Sequence, residues 1–224
     1  MRILCIGDIH APFIDKRVFS RILDRISIFK PQLIIQMGDA YDGFSWSRFP
    51  HRIINPQDEI LEAYGVLTEF WKQLRKKRPK AKLIQLVGNH DTPRIDKLVK
   101  SKAPELLPFI STKQFWDFPG VEVIHDCREP FIEGNIVFTH GHRTKLAPHL
   151  QDFGFNYNVV IGHLHRAETH YERISDRLTL WAHCCGYIAS PYSEGLSYRP
   201  LTKYFKWTQG ITEIEHGQPR FIPL

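Results

Sequence analysis

The sequence predicts an α/β fold, and three observations predict it. Five short apolar runs each end in a polar motif, helical spacing fills the intervals between the first of them, and the chain turns strand-rich from about Val121. The expected arrangement is one domain over residues 1–224 whose two halves contribute a sheet each.

The elements follow in order. Ile3-Leu4-Cys5-Ile6 reads as a strand running into Gly7-Asp8-Ile9-His10. From Lys16 to Phe29, Val18, Phe19, Ile22, Leu23 and Ile26 recur at helical spacing. Leu33-Ile34-Ile35 leads into Gly38-Asp39-Ala40-Tyr41-Asp42. Pro56 to Arg78 reads as a second helix, because Pro56, Asp58 and Glu59 suit a helix start and Pro79 stops it. Leu83-Ile84-Gln85-Leu86-Val87 runs into Gly88-Asn89-His90-Asp91, and a third helix is expected from Arg94 to Lys102. Ile136-Val137-Phe138 precedes Thr139-His140-Gly141-His142, and Val159-Val160-Ile161 precedes Gly162-His163-Leu164-His165. Leu178–Ala182 and Tyr204–Pro223 read as strands, with turns at Gln209-Gly210 and His216-Gly217.

A strand that ends in Gly and then offers Asp, Asn or His carries metal ligands well. The strand fixes the backbone, the Gly permits a turn, and the polar side chain projects where the sheet stops. Five such ends on one side of a sheet converge on one site. Asp8, His10, Asp39, Asn89, His140, His163 and His165 offer oxygen and nitrogen with no sulfur. That donor set suits first-row divalent ions, Mn first, with Fe, Ni, Zn or Mg as alternatives. A single-zinc hydrolase needs three protein ligands and leaves most of these residues idle. Two ions about 3.5–4 Å apart, with one carboxylate shared, use all seven.

The order Asp-x-His, Gly-Asp-x-x-Asp, Gly-Asn-His-Asp, a later His and Gly-His-x-His resembles the calcineurin-like metallophosphoesterase superfamily, from Asp8 to His165. The resemblance implies two sheets packed face to face with helices outside, a four-layer αββα sandwich. It implies that Asp8, His10 and His165 hold one metal, that Asn89, His140 and His163 hold the other, and that Asp39 bridges them. His90 comes directly after a ligand and is left to protonate a leaving alkoxide, and the resemblance makes Asp42 the residue that orients it. A water shared by two ions becomes hydroxide near pH 7 and attacks phosphorus. Arg94 and Arg143 would add charge for the phosphate oxygens, and His142 either lines the site or caps a turn. Gly43 stands where the phosphoprotein phosphatases of this superfamily carry Arg, and Asp91 replaces their Glu, which argues against that branch. The stretches Trp181–Tyr187 and Tyr204–Ile211 resemble phage-encoded and prophage-encoded members, although strand packing accounts for the same aromatics.

The 224 residues are 42% hydrophobic and 12% aromatic, enough for a core. No run approaches the ~20 apolar residues of a membrane span, and Ile3–Ile6 is too short for a signal segment. A cytosolic protein is expected, with Cys5, Cys127, Cys184 and Cys185 as thiols. Thirty Lys and Arg against 24 Asp and Glu give a net +6, which favours polyanions and keeps nucleic acid open as a partner. The seven basic residues from Lys72 to Lys82 read first as a solvated helix end. The expected function is dinuclear hydrolysis of phosphoesters, diesters before monoesters. A nuclease for DNA or RNA ends is the alternative, and a scaffold that has lost catalysis, as in a retromer subunit, is a third reading. The intact ligand set and the Asp42–His90 pair argue against the third.

Overall fold

The computed structural model describes residues 1–46, 55–102, 104–106, 115–193, 196 and 206–224. The first half alternates strand and helix: β1 (Ile3–Ile6), α1 (Lys16–Phe29), β2 (Leu33–Gln36), α2 (Pro56–Lys77), β3 (Lys82–Leu86) and α3 (Thr92–Lys102). The second half holds β4 (Glu122–Ile124), β5 (Phe131–Glu133), β6 (Ile136–Thr139), α4 (Pro148–Asp152), β7 (Asn158–Ile161), β8 (Ala167–Ser175), β9 (Leu178–Cys185), β10 (Gly210–Glu215) and β11 (Gln218–Pro223).

Side-chain alternation builds the layers. On β1, Ile3 and Cys5 join Leu33, Ile35, Ile84 and Leu86 in a core shared with Phe138, Val160 and Trp181 of the second sheet. Leu4, Ile6 and Ile34 face the other way, onto Val18, Ile22 and Ile26 of α1 and Leu67, Phe70 and Leu74 of α2. In the second sheet, Val137, Val159, Ile161, Leu180 and Ala182 turn outward onto Leu146 and onto Leu150 of α4. The layers are therefore helix, sheet, sheet, helix. Because both faces of these strands are covered, they read as continuous apolar runs rather than alternating ones.

The sheets run β11-β10-β1-β2-β3-β4 and β5-β6-β7-β9-β8. β1, β2 and β3 are parallel, as are β6, β7 and β9. The division into halves fails at both ends of the first sheet. At one of them β4 lies parallel to β3. The C-terminal hairpin returns to the first sheet, where β10 lies antiparallel to β1, because the side of β1 opposite β2 is otherwise an open edge. Gln209-Gly210 is the entry to β10 and not a turn, whereas His216-Gly217 is a turn with both φ angles positive, 53° and 75°. Tyr204 and Phe205, expected in a strand, lie outside the described residues.

Helix limits follow their caps. Asp15 accepts from Arg17 and Val18 at the start of α1, and Asn55 accepts from Gln57 before Pro56 of α2. Arg78 is the residue that closes α2, and α3 begins at Thr92, two residues earlier than the apolar spacing predicts. No helix among the described residues is long and apolar enough to cross a membrane.

Candidate metal centre

The C-terminal ends of β1, β2, β3, β6 and β7 deliver the seven expected ligands. The backbone bends sharply there, and the ligands themselves carry the bend. His10, Asp39, His163 and His165 have φ of 49°, 48°, 62° and 58°. Such left-handed backbone costs on the order of 1–3 kcal/mol per residue and persists where the surroundings fix it. Gly38 and Gly141 take the left-handed turn expected of the motif glycines, with φ of 90° and 92°, whereas Gly88 and Gly162 have a different use. A Cβ on Gly88 would lie 2.2 Å from both N and Oδ1 of Asp39, and one on Gly162 would lie 2.5 Å from Oδ1 of Asp8. These glycines let the carboxylates approach the backbone.

The donors gather in groups whose ligand atoms lie within 4.8 Å of one another. Asp8, His10 and His165 form one; Asp39, His140 and His163 form a second. Asn89 belongs with the second, since its Oδ1 lies 3.0 Å from His140 Nε2. Asp39 Oδ2 is 3.3 Å from the same nitrogen. Asp8 joins the groups: Oδ2 lies 2.7 Å from His165 Nε2, and Oδ1 accepts from the His163 amide at 3.1 Å. His10 Nε2 and His165 Nε2 face each other at 3.1 Å. Buried Asp8 Oδ2 has no hydrogen-bond partner of acceptable geometry. Facing imidazole nitrogens and an unsatisfied buried carboxylate oxygen fit divalent cations better than they fit each other.

The electrostatics agree. Burial opposes ionisation of Asp39, yet His140 and His90 hold its carboxyl well below the usual range. Burial likewise opposes charge on His140, but Asp39 and Asp8 outweigh it and lift the imidazolium to about 10. His163, less well paired, is pushed by burial down to about 4. A buried field this negative draws cations.

Asp42 is where the geometry departs from expectation. Its Oδ1 accepts from His10 Nδ1 at 2.8 Å, while His90 Nδ1 is 3.7 Å from that oxygen. His90 donates instead to the Asp42 carbonyl, at 2.9 Å. The carboxylate thus chiefly orients an expected ligand, and the backbone of the same residue orients His90. Arg94 reaches this group, with Nη2 3.0 Å from His90 Nε2. Arg143 and His142 do not join it through any described contact. Arg143 is held by Asp152 at 2.9 and 2.5 Å, and His142 packs edge-to-face on His149 with Asp152 at 3.6 Å.

Two features of the centre are absent from the sequence-based expectations. Asp91 is buried and accepts from the Tyr41 amide at 2.8 Å and the Gly88 amide at 2.7 Å, tying the loops after β2 and β3 together. Burial pushes its carboxyl up to about 6. An acid between the Gly-Asn-His turn and a helix is the available signal for it. Tyr187 stacks on His165 at 5.3 Å and Trp207 meets the same ring edge-to-face at 4.5 Å, so these aromatics wall the centre while Trp181 lies between the sheets.

The basic run lies at the opposite end of the first sheet, where Lys82 begins β3. Arg75 donates to the carbonyls of Pro79, Ala81 and Gly120, Arg78 to Pro31, and Lys82 pairs with Glu122. The helix-end reading of this run holds.

A family model described as calcineurin-like phosphoesterase matches residues 1–210. The Gene 54 protein of Mycobacterium phage L5 is 24% identical over 262 residues, covering 100% of this chain and 93% of the phage protein. Among solved structures, Vps29 of Chaetomium thermophilum has a TM-score of 0.50 and 13% identity, covering 96% of this chain and 84% of that one. Yfce, a phosphoesterase from E. coli, has a TM-score of 0.43 and 15% identity, covering 96% and 89%. The Vps29 likeness is one of fold.

Proposed function

The chain belongs to the calcineurin-like phosphoesterase family, and on that premise we propose that it hydrolyses phosphoesters at a two-ion centre, phosphodiesters before monoesters. The observation that carries the reading is the convergence of Asp8, His10 and His165 with Asp39, His140, His163 and Asn89 at one edge of the sandwich. Asp8, His10 and His165 would hold one ion, Asn89, His140 and His163 the other, with Asp39 shared. When bound, the ions supply charge for the phosphate oxygens and make a water nucleophilic near pH 7.

The chain's own groups do the rest. Asp42 fixes His10 so that Nε2 faces the centre. The Asp42 carbonyl fixes His90 so that its Nε2 faces Asp39, 4.0 Å away. From there His90 gives a proton to the oxygen that leaves phosphorus as water adds. A diester's alkoxide gains most from that proton, and its single negative charge asks less of the site than a monoester dianion. Manganese is the ion we expect. Four free cysteines, three of them buried, suit a reducing compartment, and we place the protein in the cytosol.

Elemental analysis of the purified protein tests the centre. We expect close to two divalent ions per chain, loss of activity in chelator, and best recovery with Mn over Fe, Ni, Zn or Mg. Asp39→Asn should lose both metal and turnover. One tightly held ion with full activity overturns the two-ion reading. Comparison of bis-p-nitrophenyl phosphate, p-nitrophenyl phosphate and labelled oligonucleotides tests the substrate. A monoester preference overturns the diester reading, and cleavage of oligonucleotides alone makes the protein a nuclease.

A further inference from the structure

Arg94 brings a positive charge to the centre that the fold leaves without a counter-ion. Its Nη1 donates to the carbonyls of Asp42 at 2.7 Å and Gly43 at 3.0 Å, and its Nη2 donates to His90 Nε2 at 3.0 Å. Among the described residues no carboxylate lies within ion-pair distance of it, whereas Arg143 is closed off by Asp152. A half-buried guanidinium met only by carbonyls and an imidazole has no counter-ion, and that arrangement is costly unless an anion is to meet it.

The surroundings are built around this side chain. Gly43 has φ of 64°, and a Cβ there would come within 3.0 Å of Arg94 Cδ and 3.1 Å of Tyr41 Cε1. The glycine leaves open the lane through which Arg94 enters. Donor logic then fixes the hydrogens. A carbonyl only accepts, so His90 Nδ1 carries the hydrogen given to Asp42; a guanidinium only donates, so Nε2 offers its lone pair to Arg94. Arg94 thus covers the one His90 nitrogen that faces Asp39. Its Nε–H and the second Nη2 hydrogen have no partner among the described residues, so donors remain for a ligand.

We propose that Arg94 is both the phosphate-reading residue of the centre and a cap on His90. A non-bridging phosphate oxygen draws Nη2 away from His90 Nε2, so that arrival of a phosphate frees a lone pair that takes a proton from water and passes it to the leaving oxygen. The inference rests on the phosphoesterase reading above and adds the residue that couples binding to exposure of His90. Monoesters, with one more free oxygen than a diester, and inorganic phosphate, with two more, also carry more charge and lean hardest on Arg94.

The test compares the unmodified protein with Arg94→Ala and Arg94→Lys, with folding checked by circular dichroism. Binding of inorganic phosphate to the Mn-loaded protein is read by calorimetry, and KM and kcat are read for p-nitrophenyl phosphate and bis-p-nitrophenyl phosphate. Loss of a charge-assisted bond should weaken phosphate binding and raise KM for the monoester by about tenfold to a hundredfold in the Ala variant, and less for the diester. Lys, which keeps the charge and loses the fork, should fall between, and it serves alone where the Ala variant does not fold. Unchanged phosphate affinity in the variants overturns the proposal. So does a fall in kcat alone with phosphate affinity intact, which would make Arg94 a prop for the His90 loop. An unmodified protein that binds phosphate through Arg94 and hydrolyses neither ester sinks the hydrolase reading and leaves this anion site standing.

Discussion

His140 and His183 are both buried, each 2% exposed, and both belong to the second sheet, yet they are answered in opposite ways. His140 sits just past β6 and meets Asp39 Oδ2 at 3.3 Å, with the carbonyl of Met37 on its other nitrogen. The carboxylates lift its imidazolium to about 10 against the pull of burial. His183 sits within β9 and spans the two sheets, with Thr169 Oγ1 at 2.8 Å from Nδ1 and Thr212 Oγ1 at 2.7 Å from Nε2. Nothing offsets burial there, and its pKa falls to about 4. Burial of a polar side chain therefore does not mark a site. Hydroxyls complete a neutral histidine, whereas carboxylates crowd several histidines into a negative, strained cluster that a cation completes.

The largest effect expected from that contrast is at His90, which groups with His10 and Asp42 and stands outside the two triads of expected ligands. His90→Asn should spare metal content and lower kcat for esters with poor leaving groups by about 10²–10⁴. The loss should shrink with p-nitrophenyl esters, whose leaving group needs little protonation. Equal losses for good and poor leaving groups would remove the acid role and leave His90 as one more structural histidine.

Asp42→Asn should have a smaller effect and divides two uses of one residue. Burial opposes its charge, but the hydrogen bond from His10 and the nearness of His90 hold the carboxyl well below the usual range. Asn can still accept from His10 Nδ1 but offers no charge, so metal affinity should fall about 10–100-fold, as for partners that support a ligand from behind. Titration of the apo variant with Mn measures this. Full metal affinity with lost turnover would return Asp42 to the role of His90's partner that the motif order predicts.

These two residues also show how far the sequence is legible. All seven expected ligands converge, because a buried parallel strand delivers its next residues to the sheet edge, and nothing about distant packing is needed to know it. The role of Asp42 is not legible, since Oδ1 and the backbone oxygen of one residue serve different histidines and only the fold of the loop after β2 decides which. Arg94 and Arg143 look equivalent in sequence; the difference is Asp152, which reaches Arg143 from α4 and has no counterpart beside Arg94 among the described residues. The return of β10 to β1 is hidden because an antiparallel strand carries no mark of its partner. The motif glycines are conspicuous in sequence, but their type suggests only one of their two uses, the left-handed turn that Gly38 and Gly141 make. Gly88 and Gly162 instead admit carboxylates, and further left-handed turns fall on Asp39, His163 and His165, residue types that periodicity cannot single out.

The smallest effect on catalysis, and the one that tests the contrast from its quiet side, belongs to His183. Above pH 6.5 neither the folded nor the unfolded chain protonates this residue, so it makes no pH-dependent contribution. As pH falls from 6.5 toward 4 the unfolded chain takes up a proton that the folded chain refuses, because both ring nitrogens are engaged between the sheets. The unfolded state then binds more protons, and stability falls with falling pH. Below about 4 both states are charged and the loss levels off. A shift of this size corresponds to about 3 kcal/mol across the window. Denaturant unfolding at several pH values, compared between the unmodified protein and His183→Asn, isolates it: the variant should be less stable at pH 7 and should lose less between pH 6.5 and 4. Metal content and kcat at pH 7 should be the same in both. A variant whose stability tracks the unmodified protein in parallel through the window would show that His183 takes its proton while folded, and the distinction between hydroxyl-answered and carboxylate-answered histidines would fail. Lost metal in the variant would break it from the other side, by making a residue between the sheets part of the centre at their edge.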